Sequence, residues 1–173
     1  GLHTNFLHKA IINGYFWVSK SLVEDQGLTV NGCTGVAITP ELLLAEKSCF
    51  RMLDKVRIKT HDGNVLSNYR TVGEIDGVLD IIQVGNANMQ PATVGTSEIS
   101  FGAPVVVFGV VYGIENVANT GLSSGYIENI SNDKFLVTSG FSYFAHNGHV
   151  ISNLDGEIVG ISVFSTVGTL LSV

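Results

Sequence analysis

Short apolar runs recur along the whole chain, and Gly, Asn, Asp and Pro separate them. β-branched and aromatic residues fill these runs, which is the pattern of strands bounded by turns. No window carries apolar residues at a sustained helical spacing, so we predict an all-β protein. The predicted strands are Tyr15–Lys20, Cys33–Ile38, Leu42–Ala45, Lys55–Lys59, Ser67–Glu74, Leu79–Val84, Val105–Val110, Gly121–Ile127, Phe135–Thr138, Val150–Asn153, Glu157–Val163 and Thr169–Val173.

Two turns and one linker stand out between these runs. Asp62-Gly63 and Asp155-Gly156 each lie between strand-like runs, and Asp-Gly is a frequent turn pair in β-hairpins. The stretch Gly85–Gly102 is poor in strand-forming residues and carries a proline, so we predict the connection between two lobes there. The predicted division is 1–88 for the N-terminal lobe, 89–102 for the linker and 103–173 for the C-terminal lobe.

The composition excludes several classes of protein. Hydrophobic residues make up 45% of the chain and charged residues only 14%, which is typical of a packed chain and not of a disordered one. The longest apolar stretch, 103–111, is shorter than the roughly 18 residues of a membrane-spanning helix. The net charge is −6 and no Lys/Arg cluster occurs, so we expect no nucleic acid as a partner. We also expect no membrane partner and no cofactor.

Cys33 opens the first of four segments that carry a family resemblance. The segment reads Cys33-Thr-Gly-Val-Ala-Ile-Thr-Pro-Glu-Leu-Leu-Leu-Ala-Glu-Lys-Ser48-Cys49. It resembles the part of chymotrypsin-like serine proteases in which a cysteine-led strand, a turn and a second strand lead to the catalytic histidine and a second cysteine. Ser48 stands at the histidine position. The resemblance implies a disulfide between Cys33 and Cys49, whereas the two cysteines by themselves equally allow free buried thiols.

Two further segments are similar to strands of the same superfamily. Gly77-Val-Leu-Asp80-Ile-Ile-Gln-Val84 resembles the strand that begins with the catalytic aspartate, so the resemblance gives Asp80 the place of the triad acid. From the residues alone, an aspartate at the start of an apolar strand is usually only a turn or edge residue. Phe101–Gly109 resembles the strand that opens the second barrel.

The last segment is similar to the loop that holds the catalytic serine and to the strand after it. Relatives read Gly-Asn-Ser-Gly-Gly-Pro-Leu-Val-Asn, whereas this chain reads Ala145-His-Asn147-Gly-His149-Val150-Ile-Ser-Asn153. Asn147 therefore stands at the nucleophile position, and Ala145 at the glycine that donates an oxyanion-hole amide. His149 and Val150 replace the next glycine and the proline.

The resemblance implies a fold and, through its departures, the loss of protease chemistry. The expected fold is all-β, with two six-stranded antiparallel β-barrels of the chymotrypsin-like type and little helix. The catalytic triad needs an imidazole as base and a hydroxyl as nucleophile. Ser48 offers no base near neutral pH, and the amide nitrogen of Asn147 is not a nucleophile. We therefore expect that the chain is not an enzyme.

Four residues fall in the old substrate cleft if the resemblance is carried further: Phe141, Val163, Phe164 and Ser165. Phe141 would lie at the pocket floor and Ser165 replaces a glycine of the pocket wall, so we expect a filled or shallow pocket. An ordinary core aromatic is the competing interpretation of Phe141. Val163 stands where relatives carry a serine that donates to the triad aspartate.

Two sharper interpretations of the same residues compete with this view. His146 and His149 form a His-x-x-His pair that, with Asp80 or Glu157, would suggest a metal site. That spacing suits a helix and not a loop leading into a strand, so we expect no metal and favour solvent-facing or locally hydrogen-bonded histidines. In the other, Ser48 acts as nucleophile, His146 as base and Asp80 as orienting acid.

The favoured function is a binding module, a non-catalytic protease homologue that binds a protein or a peptide segment in the old cleft. The alternatives are a domain of a viral polyprotein, either structural or a degenerate main protease, and the hydrolase with the rearranged site. A Cys33–Cys49 disulfide favours a secreted, extracellular protein, whereas free thiols favour the intracellular viral setting. Asn129-Ile-Ser131 also forms a glycosylation sequon for a eukaryotic secreted protein.

Overall fold

The computed structural model describes residues 26–30, 33–47, 58–75, 77–95, 100–112, 118–131, 134–139, 149–162 and 169–172. The regular elements within these ranges are strands, so the all-β prediction is confirmed. Their bounds are β1 Gly27–Val30, β2 Cys33–Ala37, β3 Leu42–Glu46, β4 Ile58–Thr60, β5 Val65–Leu66, β6 Tyr69–Ile75, β7 Leu79–Val84, β8 Thr93–Val94, β9 Pro104–Tyr112, β10 Ala118–Ser131, β11 Lys134–Ser139, β12 Val150–Ser152, β13 Glu157–Ser162 and β14 Thr169–Ser172. Among these residues, none forms a helix that is long and apolar enough to cross a membrane.

The first sheet is curled, and its two edge strands, β5 and β6, follow each other directly in the chain. Its strand order is β5-β4-β1-β2-β3-β7-β6, and its neighbouring strands are antiparallel. Only Ser67 and Asn68 separate β5 from β6, so the two edge strands are parts of one bent segment. The backbone carbonyl of Asn68 accepts a hydrogen bond from the amide of Gly85, at 2.8 Å, which holds the bend against the end of β7. Counted as one, β5 and β6 give six strands, the number predicted for one barrel. β1 was not among the predicted strands, and the predicted strand Tyr15–Lys20 lies outside the described residues.

The second sheet closes into a ring of six antiparallel strands. The ring runs β9-β10-β11-β14-β13-β12 and returns to β9. A seventh strand, β8, departs from the prediction of purely antiparallel barrels, because Thr93 and Val94 pair in parallel with Glu157 and Ile158 of β13. These two residues fall in the range 89–102, so part of the predicted linker adds to the second sheet. The lobe boundaries themselves stay a prediction.

Alternation along the strands divides the apolar side chains between separate cores. On β7, Ile82 and Val84 belong to a cluster formed within the first sheet. Leu79 belongs instead to a cluster that also contains Phe108 and Val150 of the second sheet. Since β2 packs against both β9 and β12, the two sheets share this second apolar core, and it fixes their relative position.

Candidate functional site

Asp80 is the second residue of β7, and it lies between two neighbouring strands. Ala45 of β3 is its partner on one side and Glu74 of β6 on the other. Residues two apart on a strand share a face, so Asp80 lies on the face of Ile82 at the end of the first core. The Asp80 residue is only 5% exposed. The strand pattern therefore holds a carboxyl group largely out of water.

Three charged side chains surround Asp80: Glu46, Lys47 and Glu74. The Nζ of Lys47 lies 2.5 Å from Oε1 of Glu74, and Glu46 is buried. Burial raises the pKa of Asp80 above its ordinary value, because the charged form loses hydration. The negative charge of Glu74 raises this pKa further, Lys47 lowers it, and Glu46 raises it. Asp80 therefore holds a proton more readily than a free aspartate does.

The described segment that contains β3 ends at Lys47, one residue before Ser48. The backbone amide of Lys47 donates to the carbonyl of Val78 at 2.8 Å, which extends the β3–β7 ladder by one residue. Ser48 lies outside the described residues, so its contact with Asp80 stays a prediction. Cys33 is not a free thiol, and because Cys49 also lies outside the described residues, their pairing stays a prediction.

His149 occupies a site on the second sheet that the sequence did not indicate. It precedes β12, and since Val150 pairs with Phe108, it lies beside Gly109 of β9. A Cβ atom on Gly109 would lie 2.0 Å from Cδ2 of His149, and His149 is only 5% exposed. Of the two alternatives predicted for the histidines, the solvent-facing one is therefore wrong for His149, because the missing side chain of Gly109 leaves room for the imidazole in the barrel wall.

The hairpin that follows His149 is fixed by one asparagine side chain. Oδ1 of Asn153 accepts hydrogen bonds from the amides of Asp155 and Glu157, at 3.0 and 2.9 Å. Its Nδ2 donates to Oε1 of Glu157 at 2.8 Å. Gly156 adopts a positive φ of 85°, which confirms the predicted Asp-Gly turn. Glu157 is thus engaged in the turn, and the described residues contain no group of three metal-ligating side chains.

The remaining predicted site residues lie outside the described ranges. They are Ser48, Cys49, Phe141, Ala145, His146, Asn147, Val163, Phe164 and Ser165. The structure places Asp80 and His149, and it brings Asp80 together with Glu46, Lys47 and Glu74, which the sequence reasoning missed. The pair Glu46-Lys47 directly before Ser48 was a visible signal, whereas the approach of Glu74 depends on strand register.

Comparisons with known proteins identify the fold. No family model matches the sequence, and no curated protein matches it. Among solved structures, the chain is similar to the Rv3671c protease in an inactive form, with a TM-score of 0.69 at 15% identity over 87% of this chain and 84% of that chain. It is also similar to Rv3671c from M. tuberculosis H37Rv crystallised as a serine-to-alanine mutant in the inactive form, with a TM-score of 0.68 at 15% identity over 90% of this chain and 83% of that one. These likenesses concern the fold alone: this chain has a chymotrypsin-like double β-barrel fold.

Proposed function

We propose that this chain is a non-catalytic homologue of chymotrypsin-like proteases that binds a protein or a peptide segment in the old substrate cleft. The fold supports the alignment on which the proposal depends. In that alignment Ser48 replaces the catalytic histidine and Asn147 replaces the catalytic serine. Neither side chain can carry out the proton transfer and the nucleophilic attack that the triad performs.

The state of Asp80 is the observation that carries this proposal. In a working triad the carboxylate stays ionised, because it accepts a hydrogen bond from the imidazole that it orients. Here burial and two neighbouring carboxylates raise the pKa of Asp80, and among the residues that the structure describes no imidazole affects it. A carboxyl group that binds a proton more readily than usual stabilises an imidazolium less well.

The residues after Asn147 support the alignment on the nucleophile side. Val150 lies three positions later and pairs with both β9 and β13, so the loop end is anchored at a defined register. His149, which replaces a glycine of the relatives, is buried against Gly109. The first described residue after the oxyanion-loop positions of the alignment is thereby held in the barrel by a side chain that relatives lack.

Active-site probes test the absence of catalysis. We expect no covalent adduct with a fluorophosphonate or a peptidyl chloromethylketone, and no cleavage of a broad peptide library. The double variant Ser48→His/Asn147→Ser is not expected to regain strong activity, because Ala145, His149 and Val150 still alter the oxyanion loop. Stoichiometric labelling of Ser48 in the unmodified chain would overturn the proposal in favour of the rearranged site with His146 and Asp80.

A peptide display experiment tests the binding role. Peptides selected on the native chain should bind more weakly to Ser165→Trp. In the alignment residue 165 belongs to the wall of the old pocket, so the larger indole would occupy the space of the peptide. Val65→Trp is the matched control, since Val65 is 59% exposed on β5 of the first sheet and the same bulk there leaves the cleft open. Equal binding to both variants, or no selection of any peptide, would contradict a role for the cleft.

The setting that we propose is extracellular. Its support is that Cys33 is not a free thiol, and disulfides persist in oxidising compartments. A domain of a viral polyprotein is the competing setting, and two free thiols would favour it. Intact mass of the native protein after alkylation, with and without reduction, separates the two.

A further inference from the structure

The side chain of His149 lies on the inner face of the second barrel. Along β9, Val105 and Val107 belong to an apolar cluster formed within the second sheet, and residues two apart on a strand share a face, so Gly109 lies on that face too. Ile151 of β12 belongs to the same cluster, and His149 stands two residues before it. The alternation of both strands therefore directs His149 into the barrel, at the end of this cluster.

Two glycines provide the space for this imidazole. Gly109 pairs with Gly121 of β10, so two neighbouring strands both lack a side chain at this level of the barrel. Cγ and Nε2 of His149 each lie 2.8 Å from the position that a Cβ atom on Gly109 would take. Since His149 is only 5% exposed, the imidazole occupies the barrel interior in place of the missing side chains.

The charged residues of the described barrel strands lie away from His149. β9, β12 and β14 contain no Asp, Glu, Lys or Arg, and neither does β2, which packs against β9 and β12 from the first sheet. Glu128 of β10 and Lys134 of β11 lie about 23 Å or more of strand beyond Gly121. The β12–β13 register places His149 opposite residue 162, so about 16 Å of strand separates it from Glu157. The other titratable residues of these strands are Cys33, Tyr112 and Tyr126.

A proton on His149 would therefore bring a positive charge into an apolar interior. An imidazolium loses its hydration there, and this loss disfavours the charged form. In water an ordinary histidine takes up its proton near pH 6.5. Below that pH the protonated side chain is consequently more stable outside the barrel than inside it, so protonation and the buried position compete.

We propose that His149 is a pH-sensitive switch: below about pH 6.5, proton uptake drives its imidazole out of the second barrel and loosens the start of β12 from β9. In the alignment Asn147 holds the nucleophile position two residues earlier, so this side of the old cleft changes with the switch. The proposal goes beyond the proposed function, since it concerns the barrel whether or not the cleft binds a peptide.

Amide hydrogen exchange of the ¹⁵N-labelled chain, followed by NMR between pH 8 and pH 5, tests the switch. Protection factors, which correct for the pH dependence of the intrinsic exchange rate, should fall at Gly109 and Val150 below about pH 6.5. The fall is at most about tenfold per pH unit for one proton. His149→Gln keeps a polar side chain that takes up no proton, so it should abolish this pH dependence. His61→Gln, which changes an exposed histidine, should leave the pH dependence unchanged.

The imidazole signals of the native chain provide a second measurement that needs no variant. The side chain of His149 should keep the chemical shifts of a neutral imidazole at pH 8, and these shifts should change together with the protection at Gly109. The proposal is overturned if the imidazole takes up its proton without any loss of protection at Gly109 and Val150. It is equally overturned if protection is constant between pH 8 and pH 5, or if folded His149→Gln has the pH dependence of the native chain.

Discussion

The imidazole of His149 fills the space that a side chain on Gly109 would need. An added Cβ would lie 2.0 Å from Cδ2 of His149 and 2.8 Å from its Cγ, far inside van der Waals contact. Gly109→Ala must therefore displace the imidazole or distort β9. We expect it to lower the free energy of unfolding by about 1–3 kcal/mol, the usual cost of overpacking, measured by urea denaturation.

Gly73→Ala provides a matched control in β6, and a double variant tests the cause. A Cβ on Gly73 would lie 3.4 Å from the Cδ1 of Ile81, an ordinary contact, so this substitution should cost much less. In the His149→Ala background the cost of Gly109→Ala should shrink, because the clash is gone. Additive costs in the double variant would show that the two residues do not compete for one space.

Asp80 should stabilise the fold more at low pH than at high pH, which is the opposite of what a carboxyl group with a lowered pKa does. Because its pKa is raised in the folded protein, the folded state binds the proton more tightly than the unfolded state does. The resulting stabilisation is present at low pH and is lost as pH rises through the raised pKa, with a slope of at most about 1.4 kcal/mol per pH unit for one proton. Asp80→Asn should become relatively more favourable as pH increases from about 4 upward, measured by denaturant unfolding at several pH values.

Asp62 provides a comparison in which the contribution to stability should change with pH in the opposite direction. Its pKa is lowered, first by the hydrogen bond from Thr60, so its contribution to stability grows as pH rises above the folded pKa toward the unfolded one. Asp62→Asn should therefore become relatively less favourable as pH rises toward 3.8, the ordinary pKa of the group, and should change little above it. If the effect of Asp80→Asn has the pH dependence of Asp62→Asn, or none, then Asp80 is not held in the environment described above.

Strands with a turn residue and a full apolar run could be predicted from the sequence, and strands of two residues could not. β7 has the predicted bounds, since a Gly77 turn with φ of 70° precedes an apolar run. β5 and β8 have two residues each, too few to show any periodicity, and they form only because neighbouring strands offer hydrogen-bond partners. β10 extends well beyond the predicted run Gly121–Ile127, because β9 pairs with its polar residues through the backbone.

In the candidate site, too, residues could be predicted from their own segment, but their contacts with segments distant in sequence could not. Asp80 could be found because its own segment carries the resemblance. Its approach to Glu74 depends on a register shift between Thr71 and Gly73 in β6, and such a bulge has no clear sequence signal. The burial of His149 depends on Gly109, which is distant in sequence. Contacts set by pairing between distant segments are therefore the part that sequence reasoning missed.

The cysteines provide a prediction about covalent structure. We expect no alkylation of the native protein before reduction and two alkylated cysteines after it. Replacing both Cys33 and Cys49 by serine should lower the free energy of unfolding by about 3 kcal/mol, because the unfolded chain is freed from a loop of roughly 15 residues. Two alkylated thiols in the native, non-reduced protein would contradict both the pairing and the extracellular setting.

The last prediction concerns what replaces the missing imidazole at Asp80. Ser48 directly follows Lys47, whose amide already bonds to the carbonyl of Val78 beside Asp80, and a hydroxyl can donate to the carboxyl directly or through one water. We therefore expect Ser48→Ala to lower the free energy of unfolding by about 1–3 kcal/mol at neutral pH. No change in any activity should accompany it.

A double-variant cycle with Asp80→Asn distinguishes this contact from a general loss of packing. In the Asp80→Asn background the cost of Ser48→Ala should fall, because no charge remains to be compensated, and it should fall similarly at low pH in the native background, because Asp80 is then protonated. Ser100→Ala, at an exposed position, serves as the control and should be nearly neutral throughout. An equal cost of Ser48→Ala in both backgrounds and at both pH values would mean that Ser48 does not contact Asp80. The geometry that links the histidine and aspartate positions of the triad would then have been lost together with its chemistry.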